Sequence, residues 1–129
     1  MDLSEERLRQ ALGTRELRYL PDALSTQDIA KQWLPDAPSG AVVIADSQRG
    51  GRGRGTRTWV TPQGQAVAVS VILRPDVSAL GQVTMLGCLA VSEVLDDLGV
   101  PGVAIKWPND VQIRERKVCG VLHEAVWFG

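Results

Sequence analysis

The feature that most constrains this chain is a stretch with almost nothing to bury. Residues 49–57 hold four arginines and four glycines in nine positions. Glycine has no Cβ, so its backbone N–H can turn toward an anion, and arginine adds a fixed charge with paired donors. Such a stretch does not enter a core, and we expect a mobile loop that a bound anion orders.

Apolar runs on either side of this loop predict the sheet that holds it. Residues 41–45 form a continuous apolar run typical of a buried strand, and residues 66–73 predict the central strand of a sheet. The longest helix is predicted over residues 78–98, because its apolar residues recur at helical period. The residues of that stripe are Leu80, Val83, Leu86, Ala90, Val91, Val94, Leu95 and Leu98.

Shorter elements complete the predicted fold. Ser4 and Ser25 are predicted N-caps of two helices, the first ending at Gly13, and residues 16–20 predict an extended segment that Pro21 stops. Strands are predicted at 103–107, 111–113, 118–123 and 125–128, with turns at 109–110 and 114–116. Because strands outnumber helices and hairpins join them, the predicted fold class is α+β, a mixed β-sheet with helices on one face.

Charge and cysteine content narrow the ligand and the compartment. The whole chain carries a formal net charge of −1, so the positive charge of residues 49–57 is local and suits a small anion. Cys88 and Cys119 are expected to be free thiols in a reducing cytoplasm. His123 is the single histidine, and no ligand-spaced cluster predicts a metal site. We expect no membrane association, since we find neither a signal peptide nor an apolar run of membrane-spanning length.

Each candidate residue also has an ordinary structural interpretation. The glycine–arginine stretch alone fits a solvated basic loop or an RGG-like nucleic-acid-binding fragment, although it lacks the aromatic residues on which single-stranded bases stack. Lys106 alone fits a solvent-exposed hairpin residue, and Lys117 fits the charged end of a core strand. Ser25 and Thr26 fit a simple helix cap.

Taken together and in order, the motifs resemble those of the biotin protein ligases, the enzymes that attach biotin to carboxylases. The matching segments are Ser25-Thr26, Asp46-Ser47-Gln48, Gly51-Arg52-Gly53-Arg54, Arg57, Trp59, Lys106-Trp107-Pro108-Asn109-Asp110 and Arg116-Lys117-Val118-Cys119-Gly120. The resemblance implies a biotin/lipoate protein ligase-like catalytic domain, related to class II synthetases. A lipoate-type ligase is the alternative within this fold, although that relative lacks the Gly-Arg-Gly-Arg loop.

The resemblance implies a ligase with two half-reactions. The carboxylate of biotin attacks the α-phosphate of ATP to give biotinyl-5′-AMP and pyrophosphate, and a lysine amine of a biotin carboxyl carrier protein then displaces AMP. ATP and biotin are the implied substrates, with Mg²⁺ accompanying ATP. The implied partner is the carrier domain of acetyl-CoA carboxylase or a related carboxylase. Clustered cations suit this chemistry, because they screen two anions and stabilise charge on phosphate oxygens.

The same resemblance implies roles for individual residues. Lys117 and Arg54 are the implied catalytic residues, and no metal ligand is implied. Gln48 would hydrogen-bond biotin near its reacting carboxyl end, and Trp59 would form a wall of the biotin pocket. Contacts with biotin or its adenylate are implied for Ser25, Thr26, Gln27, Gln48, Arg52, Gly53, Arg54, Trp59 and Lys117.

The chain departs from the family pattern in three places. Gln27 stands where the family usually has Asn, Leu24 where it often has Asp, and Gly55-Thr56 where the loop usually reads Arg-Gly. Gln27 keeps the amide but lengthens the side chain by a methylene, and Gly55 removes a charge and adds flexibility. We expect both changes to weaken retention of the adenylate.

The family's catalytic domain continues with further strands and helices. We therefore expect residues 1–129 to be part of a catalytic domain, with an N-terminal helix and strand in 1–24 and the motifs in 25–129. The C-terminal part of that domain, and the DNA-binding domain of repressor-type members, are expected to be absent. The chain is then either a fragment or one that completes its fold by assembly, most simply as a homodimer.

Overall fold

The computed structural model describes residues 3–128, which divide between Arg74 and Pro75 into two compact units. We call these the N-terminal unit and the C-terminal unit. The N-terminal unit contains α1 (Glu5–Leu12), β1 (Leu17–Ala23), α2 (Thr26–Trp33), β2 (Val42–Arg52), β3 (Thr58–Thr61) and β4 (Ala68–Val71). The C-terminal unit contains a 3-10 helix (Val77–Gln82), α3 (Val83–Asp97), β5 (Val103–Lys106), β6 (Asp110–Ile113) and β7 (Arg116–Gly120). The α+β class is confirmed.

The strand β2 is the central strand of the four-stranded mixed sheet in the N-terminal unit. It pairs in parallel with β1, from Leu17 opposite Val42 to Ala23 opposite Gln48. Along its other edge it pairs antiparallel with β4 and then with β3. The prediction that residues 66–73 form the central strand is therefore wrong. Among the described strands β4 pairs only with β2, and its residues alternate between buried and exposed.

The strand β1 runs through Pro21, whereas the sequence predicts that the extended segment ends there. Proline lacks the N–H needed for a ladder but is tolerated in edge strands. Within the described part of the chain β1 is an edge strand. Its pairing with β2 steps over the proline, from Leu20 opposite Ala45 to Asp22 opposite Ser47.

Helices cover both faces of this sheet, where the sequence predicts helices on one face. Successive strand residues point to opposite faces. Val42 packs with Leu12 of α1 in one cluster, and its neighbour Val43 packs with Trp33 of α2 in another. The difference follows from the apolar run at 41–45, in which every residue is buried and both faces therefore need cover.

The long helical segment of the C-terminal unit begins as a 3-10 helix and becomes α-helical at Val83. It ends before Gly99, which has a φ of 74°, so the predicted stop is confirmed. Its predicted apolar stripe is not buried. Cys88 is the buried residue of α3, whereas Leu86 and Leu98 are exposed.

The segment Val77–Asp97 is 21 residues long and contains an 18-residue window with a mean hydropathy of 1.5, so by length and composition it could cross a membrane. The expectation that no run approaches membrane-spanning length is therefore wrong for this segment. One such helix is only weak support for a membrane span, because helices of water-soluble proteins meet the same criteria.

The strands β5, β6 and β7 form an antiparallel meander. Arg114 and Glu115 have φ values of 49° and 67°, which is the left-handed pair of a two-residue hairpin turn, so the predicted turn is confirmed. The first hairpin turns at residues 107–109, slightly earlier than predicted. Residues 121–128 have no regular secondary structure, so the strand predicted at 125–128 is wrong.

Candidate active site

The start of α2 holds two buried hydroxyl residues. Ser25 is the N-cap and Thr26 the first helical residue, and they are 2% and 3% exposed. The Ser25 side chain makes no capping hydrogen bond. Instead, the Thr26 backbone N–H, one of the donors that a helix start leaves unpaired, donates to Gln48 Oε1 at 2.9 Å. The β2 strand therefore supplies the cap that the sequence assigns to Ser25.

A chain of hydrogen bonds links this helix start to β4. Thr26 Oγ1 lies 2.8 Å from Ser70 Oγ, and Ser70 Oγ donates to Gln27 Oε1 at 2.6 Å. Ser70 is 4% exposed. Sequence reasoning missed this residue. The available signal was one serine among valines, at a position where the strand alternation points inward.

These contacts orient the Gln48 amide. Its Oε1 accepts from the Thr26 N–H and lies 3.2 Å from Thr26 Oγ1, so the carbonyl end is used within the protein. Its Nε2 lies above Gly51, 2.9 Å from where a Cβ on that glycine would be. The Nε2 group, which carries the two N–H donors of the amide, therefore lies close to the Gly51 backbone.

The glycine–arginine loop is shorter than the predicted 49–57, because β2 continues to Arg52. A register shift between Gln48 and Gly51 lets β2 pair with β3, and Gly51 lies opposite Trp59. The Gly53 N–H donates to the Arg57 carbonyl at 2.8 Å and closes the hairpin. A Cβ on Gly51 would lie 2.4 Å from the Trp59 carbonyl oxygen, so only glycine fits there.

The four arginines of this region fall into two kinds. Arg49 Nε lies 2.7 Å from Asp22 Oδ2, and Arg52 Nη1 donates to Asp28 Oδ1 at 2.7 Å. Among residues 3–128, neither the Arg54 nor the Arg57 guanidinium forms an ion pair with another residue. The hairpin therefore carries two cations held by carboxylates and two that are available to an anion.

Asp22 anchors the first of these arginines on the sheet surface. Its pKa lies below the usual range, chiefly because the Ser47 hydroxyl donates to its Oδ1 at 2.8 Å, with Arg49 adding to the effect. The carboxylate is therefore charged throughout the neutral range. It fixes the base of the hairpin rather than its tip.

Lys117 lies on β7 of the C-terminal unit and forms an ion pair with Asp110 of β6, with Nζ 2.9 Å from Oδ1. The two side chains are 36% and 20% exposed. The contact is electrostatic rather than a directed hydrogen bond, because this buried oxygen has no hydrogen-bond partner of suitable geometry. Asp110, to which the sequence assigns no role, thus holds the Lys117 ammonium group in place.

Cys88 and Cys119 are free thiols, as predicted. Burial raises the pKa of both. Asp110 raises the pKa of Cys88 further, and for Cys119 the added effect of Cys88 and Asp110 is opposed by Lys117. Both thiols are neutral at pH 7, so neither is an activated nucleophile.

The N-terminal unit brings most of the predicted site residues onto β2 and the elements that contact it. The residues that share hydrogen bonds at the start of α2 are Thr26, Gln27 and Gln48, with Ser25 beside them, and those of the hairpin are Arg52, Gly53, Arg54 and Trp59. Lys117 belongs to the C-terminal unit. Within residues 3–128 no group of three or more His, Cys, Asp or Glu side chains is arranged to hold a metal.

A comparison with known families decides what this arrangement belongs to. The model of the biotin/lipoate A/B protein ligase family matches residues 22–127. The chain belongs to this family. The predicted resemblance to biotin protein ligases is confirmed, and so is the ligase-like α+β fold.

Individual members of the family are similar to this chain in sequence and in structure. The chain is 38% identical over 129 residues to the bifunctional ligase/repressor BirA of Bacillus subtilis, covering 95% of the chain and 40% of that protein. It is 39% identical over 109 residues to the biotin--[acetyl-CoA-carboxylase] ligase of Paracoccus denitrificans, covering 81% and 45%. The biotin protein ligase of Aquifex aeolicus in complex with biotin and ATP superposes with a TM-score of 0.76 at 37% identity, covering 85% and 47%. The chain thus spans less than half the length of each of these family members.

Proposed function

We propose that this chain activates biotin with ATP to give biotinyl-5′-AMP and transfers biotin to a lysine of a biotin carboxyl carrier protein. The observation that carries the proposal lies on β2, where Thr26 orients Gln48 and Arg52 follows four residues later. We call the β2–β3 hairpin, with its four arginines between 49 and 57, the arginine hairpin. One end of this region offers an amide donor to a neutral or carboxylate ligand, and the other offers guanidinium groups to a phosphate. Solved relatives hold biotin with ATP and biotinyl-5-AMP, which supports the same ligands here.

The first half-reaction joins two anions. A biotin carboxylate oxygen forms a bond to the α-phosphorus of ATP, and the bond from that phosphorus to the bridging oxygen of pyrophosphate breaks. We assign Arg54 to the phosphate oxygens, since its guanidinium has no ion-pair partner among the described residues. By the family motif, Lys117 supplies a second cation to the α-phosphate, where charge grows in the transition state.

The second half-reaction transfers the biotinyl group. The neutral amine of the acceptor lysine attacks the carbonyl carbon of the mixed anhydride, AMP leaves with the bonding electrons, and the nitrogen loses a proton. During both steps biotin is proposed to be held by four residues around the start of α2: Ser25, Thr26, Gln27 and Gln48. Arg52 and Gly53 are proposed to cover it, and Trp59 is proposed to form a wall of the pocket.

Mg²⁺ is proposed to arrive with ATP. The described residues contain no cluster of three carboxylate or imidazole ligands, and Asp110 of the β6–β7 hairpin is already engaged with Lys117. The chain's own residues therefore do not form a metal cage, and we assign the ion to the phosphates and water, as is usual for Mg²⁺ with nucleotides.

The acceptor is proposed to be the carrier domain of acetyl-CoA carboxylase or a related carboxylase, as the name of the Paracoccus relative suggests. A cytoplasmic location and a homodimer are part of the same proposal. Light scattering across a dilution series tests the dimer, because a dimer loses mass on dilution and a monomer does not.

The two alternatives are less well supported. The matching family also covers lipoate ligases, but the named relatives and solved structures given above are biotin ligases where a substrate is named. An RGG-like nucleic-acid-binding fragment requires a long flexible stretch, whereas strand pairing extends through Arg52 and resumes at Thr58.

The proposal is tested by incubating the chain with biotin, ATP and Mg²⁺ and measuring adenylate and pyrophosphate by mass spectrometry. We expect biotinyl-5′-AMP with biotin and no adenylate with lipoate. Arg54→Ala should lower the yield by about tenfold or more, because one charge-stabilising contact is lost. Arg49→Ala is the matched control, since that arginine is paired with Asp22, and it should leave the yield unchanged. A folded chain that forms adenylate with lipoate alone, or with neither acid, would overturn the proposal.

A further inference from the structure

Ser70 is a buried polar residue in the middle of an apolar strand. It lies on β4 between Val69 and Val71, which are half-exposed, and it is itself 4% exposed. A hydroxyl in that position costs stability unless it is hydrogen-bonded. Ser70 is hydrogen-bonded on both sides, to Thr26 Oγ1 at 2.8 Å and to Gln27 Oε1 at 2.6 Å.

The direction of these bonds follows from the number of protons. A serine hydroxyl carries one proton, and Ser70 gives it to the carbonyl oxygen of Gln27, which has none to give. With that proton donated to Gln27, the Thr26 hydroxyl is the donor in its contact with Ser70 at 2.8 Å, and it shares its single proton with Gln48 Oε1 at 3.2 Å. The Gln27 amide is also fixed, because its oxygen faces Ser70 and its two Nε2 donors point elsewhere.

The bond to Ser70 also affects Gln27, which stands where the family usually has Asn. A longer side chain has one more rotatable bond and more rotamer freedom to lose when it binds a ligand. The short bond to Ser70 removes that freedom before a ligand arrives. Pre-organisation of this kind increases affinity without adding a contact to the ligand.

We propose that Ser70 is a positioning residue for biotin binding, which sets the direction of the Thr26 hydroxyl and the Gln27 amide without touching the substrate. The inference rests on the proposed function, since it takes Thr26 and Gln27 as ligands of biotin. The predicted effect distinguishes biotin from ATP. Loss of the Ser70 hydroxyl weakens biotin binding and leaves ATP binding nearly unchanged.

Isothermal titration calorimetry of the whole chain with biotin, and separately with ATP, tests this. Ser70→Ala should raise the Kd for biotin about tenfold, the effect of losing one net hydrogen bond of about 1.4 kcal/mol. The Kd for ATP should change less than twofold. Ser70→Thr, which keeps the hydroxyl, should bind biotin within about threefold of wild type. Ser47→Ala is the matched control, because that serine bonds to Asp22 outside this network.

A double-mutant cycle separates positioning from loosening of the fold. Gln27→Ala should remove most of the effect of Ser70→Ala on biotin affinity, because both changes break the same contact. If Ser70→Ala does not fold, Ser70→Cys, of similar size but a weak donor, should give the same selective loss. Unchanged biotin affinity in a folded Ser70 variant, or equal losses for biotin and ATP, overturns the inference. Failure of the wild-type chain to bind biotin at all is a different result and overturns the proposed function instead.

Discussion

The two units hold their candidate functional residues in different ways. In the N-terminal unit, Thr26, Gln48 and Ser70 share hydrogen bonds that are largely buried, next to three apolar core clusters. In the described part of the C-terminal unit the buried residues are Cys88 and Val111, and Lys117 is held by an ion pair on a partly exposed hairpin. The buried hydrogen bonds fix the directions of donors and acceptors, and the ion pair presents a charge.

The difference matches the two tasks of the proposed reaction. Recognition of a small molecule depends on donors and acceptors of fixed direction, which buried hydrogen bonds provide. A cation that binds a phosphate must be charged and must be able to move toward it. A partly exposed ion pair is weak, so the lysine can leave the carboxylate for the phosphate. We therefore expect substitutions in the Thr26, Gln48 and Ser70 network to alter binding, and Lys117 substitutions to alter rate.

The largest expected effect separates rate from binding at Lys117. Lys117→Ala should lower the rate of adenylate formation by about 10²–10³, because a cation at the α-phosphate is lost, and should leave biotin affinity nearly intact. Pyrophosphate exchange measures the rate and calorimetry the affinity. Arg114→Gln removes a positive charge from the exposed turn of the same hairpin and serves as the control. Pyrophosphate exchange at the wild-type rate in Lys117→Ala would show that the lysine charge does not stabilise the α-phosphate.

The second prediction concerns the geometry of the arginine hairpin. Gly51→Ala should lower the free energy of unfolding by about 3 kcal/mol, the upper end of overpacking costs, because its methyl group would overlap the Trp59 backbone carbonyl. Gly55→Ala should cost only about 1–2 kcal/mol, since it has open space and pays for its positive φ of 64° alone. Urea denaturation of both variants checks this. Equal midpoints, or a less stable Gly55→Ala, would mean that β2 and β3 do not approach as described.

A third prediction sharpens the contrast between the held and the unpaired arginines. Trypsin should cut after Arg54 and Arg57 faster than after Arg52, which is paired with Asp28 and lies in β2. Biotin with ATP should slow the first two cuts several-fold, because a bound anion orders the tip of the hairpin. Mass spectrometry of early fragments gives the order. Identical cleavage with and without ligands would contradict loop closure.

The smallest expected effect is on how stability against urea depends on pH, through the two thiols of the C-terminal unit. Because burial raises the pKa of Cys88 and Cys119, the folded chain keeps both thiols protonated to a higher pH than the unfolded chain does. This stabilisation is complete below the unfolded pKa of about 8.5 and is lost as pH rises through the folded pKa. Urea midpoints should therefore fall as the pH is raised above about 8.5, and less so in a Cys88→Ala, Cys119→Ala variant. The same slope in both proteins would exclude a thiol contribution.

Local signals account for what the sequence predicts well. Ser4 accepts from the Arg7 N–H as an N-cap, Gly13 and Gly99 end their helices, and the turn at 114–115 forms where the sequence expects it. Each depends on neighbours within a few residues. The family itself could also be predicted, because its motifs are short and ordered.

Long-range pairing accounts for what was missed. Ser70 meets Gln27 across 43 positions, and Arg52 meets Asp28 across 24, so no local pattern reveals either contact. Pro21 lies within a strand because β1 is at the edge of the described sheet, which is a property of the fold rather than of the proline. The apolar stripe of α3 predicts a helix correctly but does not say what covers it.

Calorimetry of the chain with biotin, with and without ATP, tests the central claim most directly. We predict saturable one-to-one binding of biotin, tighter in the presence of ATP because the arginine hairpin closes over both ligands, and no binding of lipoate. Wild-type chain that is folded by circular dichroism yet shows no saturable heat with biotin, or that binds lipoate more tightly than biotin, would contradict the account.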